Sequence, residues 1–150
     1  MSVCVADGVS VLPNGRSVVN APNPALKTQG EVEAAISTGL IRFQREYMGR
    51  GPKDVKAYLL GDMLVVRLMG VLTEAEQHLV RLPRGAGRDL LKQTRTQIVE
   101  AARPILESMI ADVTGTKVVS LHHDISTTTG ENVMIFTLAK PPLVRQAKYK

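Results

Sequence analysis

Residues 53–69, Lys-Asp-Val-Lys-Ala-Tyr-Leu-Leu-Gly-Asp-Met-Leu-Val-Val-Arg-Leu-Met, decide the fold. Two runs rich in Val, Leu and Met flank Gly61-Asp62, a Gly-first pair suited to a two-residue type II′ turn, so the segment predicts a β-hairpin. A turn of that length also sets the register. With Leu60 opposite Met63, the pairs Leu59–Leu64, Ala57–Val66 and Val55–Leu68 form one wholly apolar face, while Tyr58–Val65 and Lys56–Arg67 form the other. The first face belongs to the core. Lys56 opposite Arg67 is a like-charge pair, which calls for an anion, a carboxylate from a neighbouring strand or a partner chain; two long side chains splaying into water is an equally good reading.

On the N-terminal side of this hairpin, Thr28 stands three residues before Glu31, the spacing of a capping box, and a helix is predicted from there. Val32, Ile36, Leu40, Phe43 and Tyr47 share one stripe, and Gly49 and Gly51-Pro52 end it. Residues 1–27 carry turn residues such as Asn14-Gly15 and Pro22-Asn23-Pro24 without sustained periodicity, and are expected to be a flexible extension. On the C-terminal side, Thr73 and Glu76 repeat the capping-box spacing and open a short helix ending near Leu82-Pro83. Arg84-Gly85-Ala86-Gly87 reads as a linker. From Arg88 to Ala111 the stripe Leu91, Ile98, Ala102, Ile105 and Met109 stays in phase across Pro104, which predicts one long helix kinked at the proline.

A second hairpin is expected from residues 117–124 and 131–138 around a hydroxyl-rich loop. Simple alternation puts Val119, Leu121, Val133 and Ile135 on one side and Val118, Met134, Phe136 and Leu138 on the other. The expected architecture is therefore α+β, in the order α-β-β-α-α-β-β: a four-stranded antiparallel sheet from two β-hairpins with helices packed on one face. Residues 28–139 form the single domain, and 140–150 a flexible basic tail. Apolar residues on both faces of so small a sheet predict a homodimer that covers the second face, Tyr58 included.

The composition narrows the function classes. A chain of 150 residues with 44% hydrophobic content suits one core. A lone Cys4 excludes an internal disulfide, and no apolar run approaches the ~20 residues needed to cross a bilayer, so a cytoplasmic protein is expected, with a peripheral place at the inner face of the membrane left open. The net charge of +5 is spread among acidic residues, as in Arg42-Phe43-Gln44-Arg45-Glu46, and aromatic residues are few, which argues against nucleic acid.

Candidate site residues cluster in Leu121-His122-His123-Asp124-Ile125-Ser126-Thr127-Thr128-Thr129-Gly130-Glu131. Strand alternation puts His122 and Asp124 on one face and His123 on the other. One reading makes His122 and Asp124 a proton-transfer couple or the start of a metal site. The plainer and preferred reading makes Asp124 and Ser126 turn residues that bond the loop backbone, with His122 a partly buried strand residue. No nucleophile triad, complete metal-ligand spacing or phosphate-binding fingerprint accompanies them, so no cofactor and no metal are expected, and the balance is against an enzyme. Gly49-Arg50-Gly51-Pro52 offers backbone amides and a guanidinium to an anion such as bicarbonate, phosphate or a lipid headgroup, although the commoner reading of such a string is a helix exit with a rigid corner.

Taken together, Tyr47-Met48-Gly49-Arg50-Gly51-Pro52, Val66-Arg67-Leu68-Met69-Gly70-Val71-Leu72-Thr73 with Glu76, Gly87-Arg88, and Val118-Val119-Ser120-Leu121-His122 followed by Asp124-Ile125-Ser126-Thr127 and Gly130-Glu131 resemble the Na+-translocating membrane potential-generating system MpsC family. The resemblance spans roughly residues 30–139; His123 and Thr128 depart from its pattern. It implies a small cytosolic protein tied to a bacterial system that generates membrane potential and, through membrane components, to inorganic-carbon transport. A non-enzymatic accessory or regulatory role is then expected, acting on membrane transporter subunits or a small anion. The alternative is an enzyme or sensor for an anion such as bicarbonate that uses His122 and Asp124. The resemblance marks Arg50, Arg67, His122, Asp124, Ser126, Thr127 and Glu131 as binding candidates, and Lys56 joins them from the hairpin's like-charge pair.

Overall fold

The computed structural model describes residues 9–11, 17–19 and 26–146. Two short strands, β1 (Val9–Val11) and β2 (Ser17–Val19), pair antiparallel within the expected N-terminal extension. The rest of residues 1–25 lies outside the described residues. The domain then runs α1 (Gln29–Met48), β3 (Asp54–Leu60), β4 (Met63–Met69), α2 (Glu74–Val80), α3 (Ala86–Thr114), β5 (Val118–Ile125) and β6 (Asn132–Leu138), with one 3-10 turn at Pro83–Gly85 before α3. The last four strands form one antiparallel sheet in the order β3-β4-β6-β5. This is the expected α+β architecture.

Both capping boxes form. The Thr28 hydroxyl accepts from the Glu31 N–H at 3.2 Å while Glu31 accepts from the Thr28 N–H at 3.1 Å, and Thr73 and Glu76 repeat the exchange at the start of α2. Gly49, at φ 75°, releases the chain from α1 in the left-handed conformation that glycine adopts without strain. The β3–β4 register is the one the Gly61-Asp62 turn dictates, down to Lys56 opposite Arg67. Ala57, Leu59, Leu64, Val66 and Leu68 are buried against the helices, and Tyr58, Leu60 and Met63 stay exposed on the far face. Within the core, Val32, Ile36, Leu40 and Phe43 of α1 meet Leu91, Val99, Ala102, Leu106 and Ile110 of α3 above the sheet.

Three expectations are corrected. First, α3 is continuous through Pro104, but it starts at Ala86, so the expected linker is a tight corner. Gly87 is buried there, and a Cβ on it would run into the Leu79 carbonyl, so α3 abuts α2 at a contact only glycine fits. Second, the buried stripe of α3 is Leu91, Arg95, Val99, Ala102, Leu106 and Ile110, rotated from the expected one, and Ile105 is 52% exposed. The apolar count favoured Ile98, Ile105 and Met109, but a buried arginine at 95 occupies the line that actually faces the core.

Third, Leu121 belongs to the core face of the second hairpin. A bulge at Val119 lets Val118 face Leu138 while Ser120 already faces Thr137, so Leu121 falls opposite Phe136 and packs with Met134 and Leu138. The extra residue shifts the phase of alternation, which no simple count of period two could show. Val119 itself is 62% exposed. Beyond β6, the segment expected as a tail from residue 140 carries contacts as far as Arg145. Its N–H donates to the Lys27 carbonyl at 2.8 Å, and its guanidinium approaches Glu31 at 3.6 Å. Residues 147–150 lie outside the described residues.

Candidate functional site

Because all four strands are antiparallel, the start of β3, the end of β4, the end of β5 and the start of β6 meet at one end of the sheet. The chain there carries the exit of α1, the β4–α2 connection and the β5–β6 loop, and between them lies an open cleft of about 330 Å³. Arg50, Lys53 and Arg81 line it together with Thr127, Thr128 and Thr129. The lining contains no carboxylate.

Each group has a local reason to be there. Gly49 turns the chain off α1, and the Arg50 guanidinium donates to the Leu72 carbonyl at 3.1 Å, which pins its position beside the cleft. Lys53 continues the β3–β4 ladder through its N–H to the Met69 carbonyl at 2.8 Å. Its stem crosses Gly70, which is left-handed at φ 65° and has no room for a Cβ. Arg81 closes α2, its N–H donating to the His78 carbonyl. The threonine loop is clipped shut by the Ser126 N–H on the Glu131 carbonyl and the Gly130 N–H on the Ser126 carbonyl, both at 2.8 Å, while the Ser126 hydroxyl accepts from the Thr129 N–H.

The helix α2 is anchored from inside. Arg95 is 4% exposed and donates to both Glu76 carboxylate oxygens, at 2.7 and 2.8 Å, and to the Val71 carbonyl at 3.0 Å. Burial by itself would raise the Glu76 carboxyl, but the bond from Arg95, the Thr73 N–H and the Arg95 charge outweigh it and hold Glu76 below the ordinary carboxylate range. This bidentate pair fixes the helix that carries Arg81 against the long helix and the end of β4.

The sequence-derived candidates are divided among separate places. Arg50 and Thr127 share the cleft. Arg67 pairs with Glu131 across the far face of the sheet at 2.9 Å, so the carboxylate that Lys56 and Arg67 called for comes from the residue before β6. Lys56 is exposed on the same face. His122 is exposed opposite Ile135, on the face away from the helices. Asp124 reaches round the sheet edge to Lys92 of α3 at 3.1 Å; that bond above all, helped by the Ile125 N–H and outweighing the opposing effect of burial, lowers its carboxyl below the usual range. His123 faces the helices, 3.7 Å from Glu100. Ser126 serves the loop turn.

His122 and Asp124 therefore make no hydrogen bond with each other among the described residues, and neither lines the cleft. No group of three or more metal-ligating side chains forms among the described residues. Sequence reasoning missed Lys53, Arg81, Thr128 and Thr129. The available signals were weak: Lys53 lies just across Gly51-Pro52 from Arg50, and Arg81 follows a helix already marked by its capping box.

Fold and cleft together define a small α+β protein with its helices on one face of the sheet and a cationic cleft at the sheet's end. Among the described residues no helix is long and apolar enough to cross a membrane. The chain belongs to the family described as Na+-translocating membrane potential-generating system (MpsC), which it matches over residues 28–140. It is 41% identical over 112 residues to the uncharacterized protein YbcI of Bacillus subtilis (strain 168), an overlap covering 75% of this chain and 89% of that one. No solved structure matches it.

Proposed function

We propose that this chain is a non-enzymatic accessory or regulatory component of the membrane potential-generating system for which its family is named, and that it works by binding an anionic group in the cleft. It acts in the cytoplasm, at the inner face of the membrane when engaged with transporter subunits. One observation carries the reading: Arg50, Lys53 and Arg81 line a single cleft without a carboxylate, and none of them makes an ion pair among the described residues. Cations gathered without counter-charges repel one another and raise the local concentration of anions. The rival reading, an enzyme or sensor using His122 and Asp124, lacks a shared cavity, since Asp124 is engaged with Lys92 and His122 faces the other way.

A ligand that binds only the folded protein raises its melting temperature by mass action. Phosphate, sulfate and bicarbonate, compared at constant ionic strength, are expected to raise the melting temperature of the wild type and to have little effect on an Arg50→Gln, Arg81→Gln double variant. Equal shifts in both proteins would remove the cleft from the account.

The far face of the sheet favours a second element of the reading, self-association. Tyr58 at 45% and Met63 at 40% exposure surround the half-buried Val65, Val133 and Ile135, with Arg67–Glu131 beside them. This apolar patch with a polar border has the make-up of a protein contact, and a second copy of the chain is the proposed occupant.

A further inference from the structure

Resting on the reading of the cleft as an anion site, we propose that its ligand is a phosphate monoester with a short, non-aromatic body, such as a polyol phosphate or the headgroup of a phosphatidic acid. Charge argues first. Three cations without counter-charges suit a dianion better than a monoanion, and a phosphate monoester carries close to two negative charges at neutral pH. The donor set agrees, because the guanidinium of Arg81 can match phosphate oxygens in pairs, Arg50 keeps the N–H groups not spent on the Leu72 carbonyl, Lys53 adds a mobile point charge and the Thr127 and Thr129 hydroxyls add donors.

Size argues second. About 330 Å³ lies at the lower edge of small-molecule sites, roughly 300–1,000 Å³, and a bare tetrahedral anion would leave most of it to water. Leu72 and Val80 supply an apolar wall on which a short carbon body can rest. The lining holds no aromatic ring on which a nucleobase could stack, and the sequence has no Gly-Lys-Ser/Thr phosphate loop. A polyol or glyceryl body fits these walls where a nucleotide does not.

Isothermal titration at constant ionic strength tests this with sn-glycerol 3-phosphate, inorganic phosphate and adenosine 5′-monophosphate, and flotation assays add vesicles of phosphatidylcholine with and without phosphatidic acid. Glycerol 3-phosphate is expected to bind about tenfold more tightly than inorganic phosphate, with the adenosine ester no better than phosphate. R81Q and the exposed K53Q are each expected to weaken it by about tenfold, in line with the loss of one charge-assisted bond. Circular dichroism of both variants confirms that they remain folded. Tight glycerol 3-phosphate binding without vesicle retention supports the proposal with a soluble source; retention by phosphatidic acid vesicles that R81Q abolishes supports it with a lipid source. Glycerol 3-phosphate binding no tighter than inorganic phosphate overturns the proposal and leaves the anion site standing. Failure of every anion to bind overturns both.

Discussion

Arg95 is the residue on which the cleft's geometry turns, though it never touches the cleft. A guanidinium with 4% exposure is tolerated because Glu76 neutralises its charge and, with the Val71 carbonyl, takes its Nε and Nη2 donors, while Nη1 finds no partner among the described residues. Removing the acid strands that charge. Glu76→Leu is therefore expected to cost roughly 3 kcal/mol, the low end for breaking a buried pair because Glu76 keeps some contact with water, and the double variant Glu76→Leu, Arg95→Met should recover most of it. Urea denaturation measures both, and a double variant no more stable than the single one would show that the stranded charge is not the source. The pH dependence follows with a definite sign. Because the folded Glu76 carboxyl titrates below its ordinary unfolded value, its stabilisation is complete above that unfolded value and is lost as pH falls through the lower folded one. Melting curves taken downward through that window should fall more steeply for the wild type than for Glu76→Gln. None of this could be read from the sequence, where Arg95 looks like one more solvent-facing charge on a helix with good apolar periodicity.

At the scale of elements, the first hairpin and the second make a controlled comparison. A two-residue Gly-first turn leaves the β3–β4 pair one register, so every cross-strand pair followed from the letters. The β5–β6 pair is joined by a longer loop and carries a bulge, and a single extra residue at Val119 was enough to place Leu121 on the wrong face in a count by twos. The cleft was the least legible part. Arg50 and Thr127 stood out by their neighbours in sequence, but Lys53 and Arg81 become partners only when α2 folds back over the sheet's end. That fold-back depends on the close approach of α3 to α2 at Gly87. Gly87→Ala puts a methyl group against the Leu79 carbonyl and is expected to cost about 1–3 kcal/mol, the usual range for overpacking. Thermal denaturation checks it; a variant as stable as the wild type would mean that the α2–α3 corner yields freely and does not position Arg81.

On the scale of the whole molecule, the two faces of the sheet are unequal. One is sealed by α1 and α3 over a continuous core that includes Leu64, Leu68, Phe136 and Leu138, all at 2% exposure or less, and the other leaves Tyr58, Leu60 and Met63 open. Two-stranded and four-stranded sheets that keep one face in water ordinarily alternate apolar with polar residues. Here the outer positions of β4 and β6 still include Met63, Val65, Val133 and Ile135. Sedimentation equilibrium is expected to find a dimer in the wild type and a monomer after Val65→Lys, a change on the outer face that leaves the core untouched. A wild type that remains monomeric at high concentration would remove the second copy from the account.

The cleft at the sheet's end, and not the histidine-bearing edge strand, is the proposed meeting place of this protein with its ligand. A phosphate titration followed in 1H–15N correlation spectra of the full chain tests it residue by residue. The backbone amides of Arg50, Lys53, Arg81 and Thr127–Gly130 are expected to shift together along one saturating curve while those of His122 and Asp124 stay still. Saturating shifts centred on His122 and Asp124, with Arg50 and Arg81 unmoved, would contradict it.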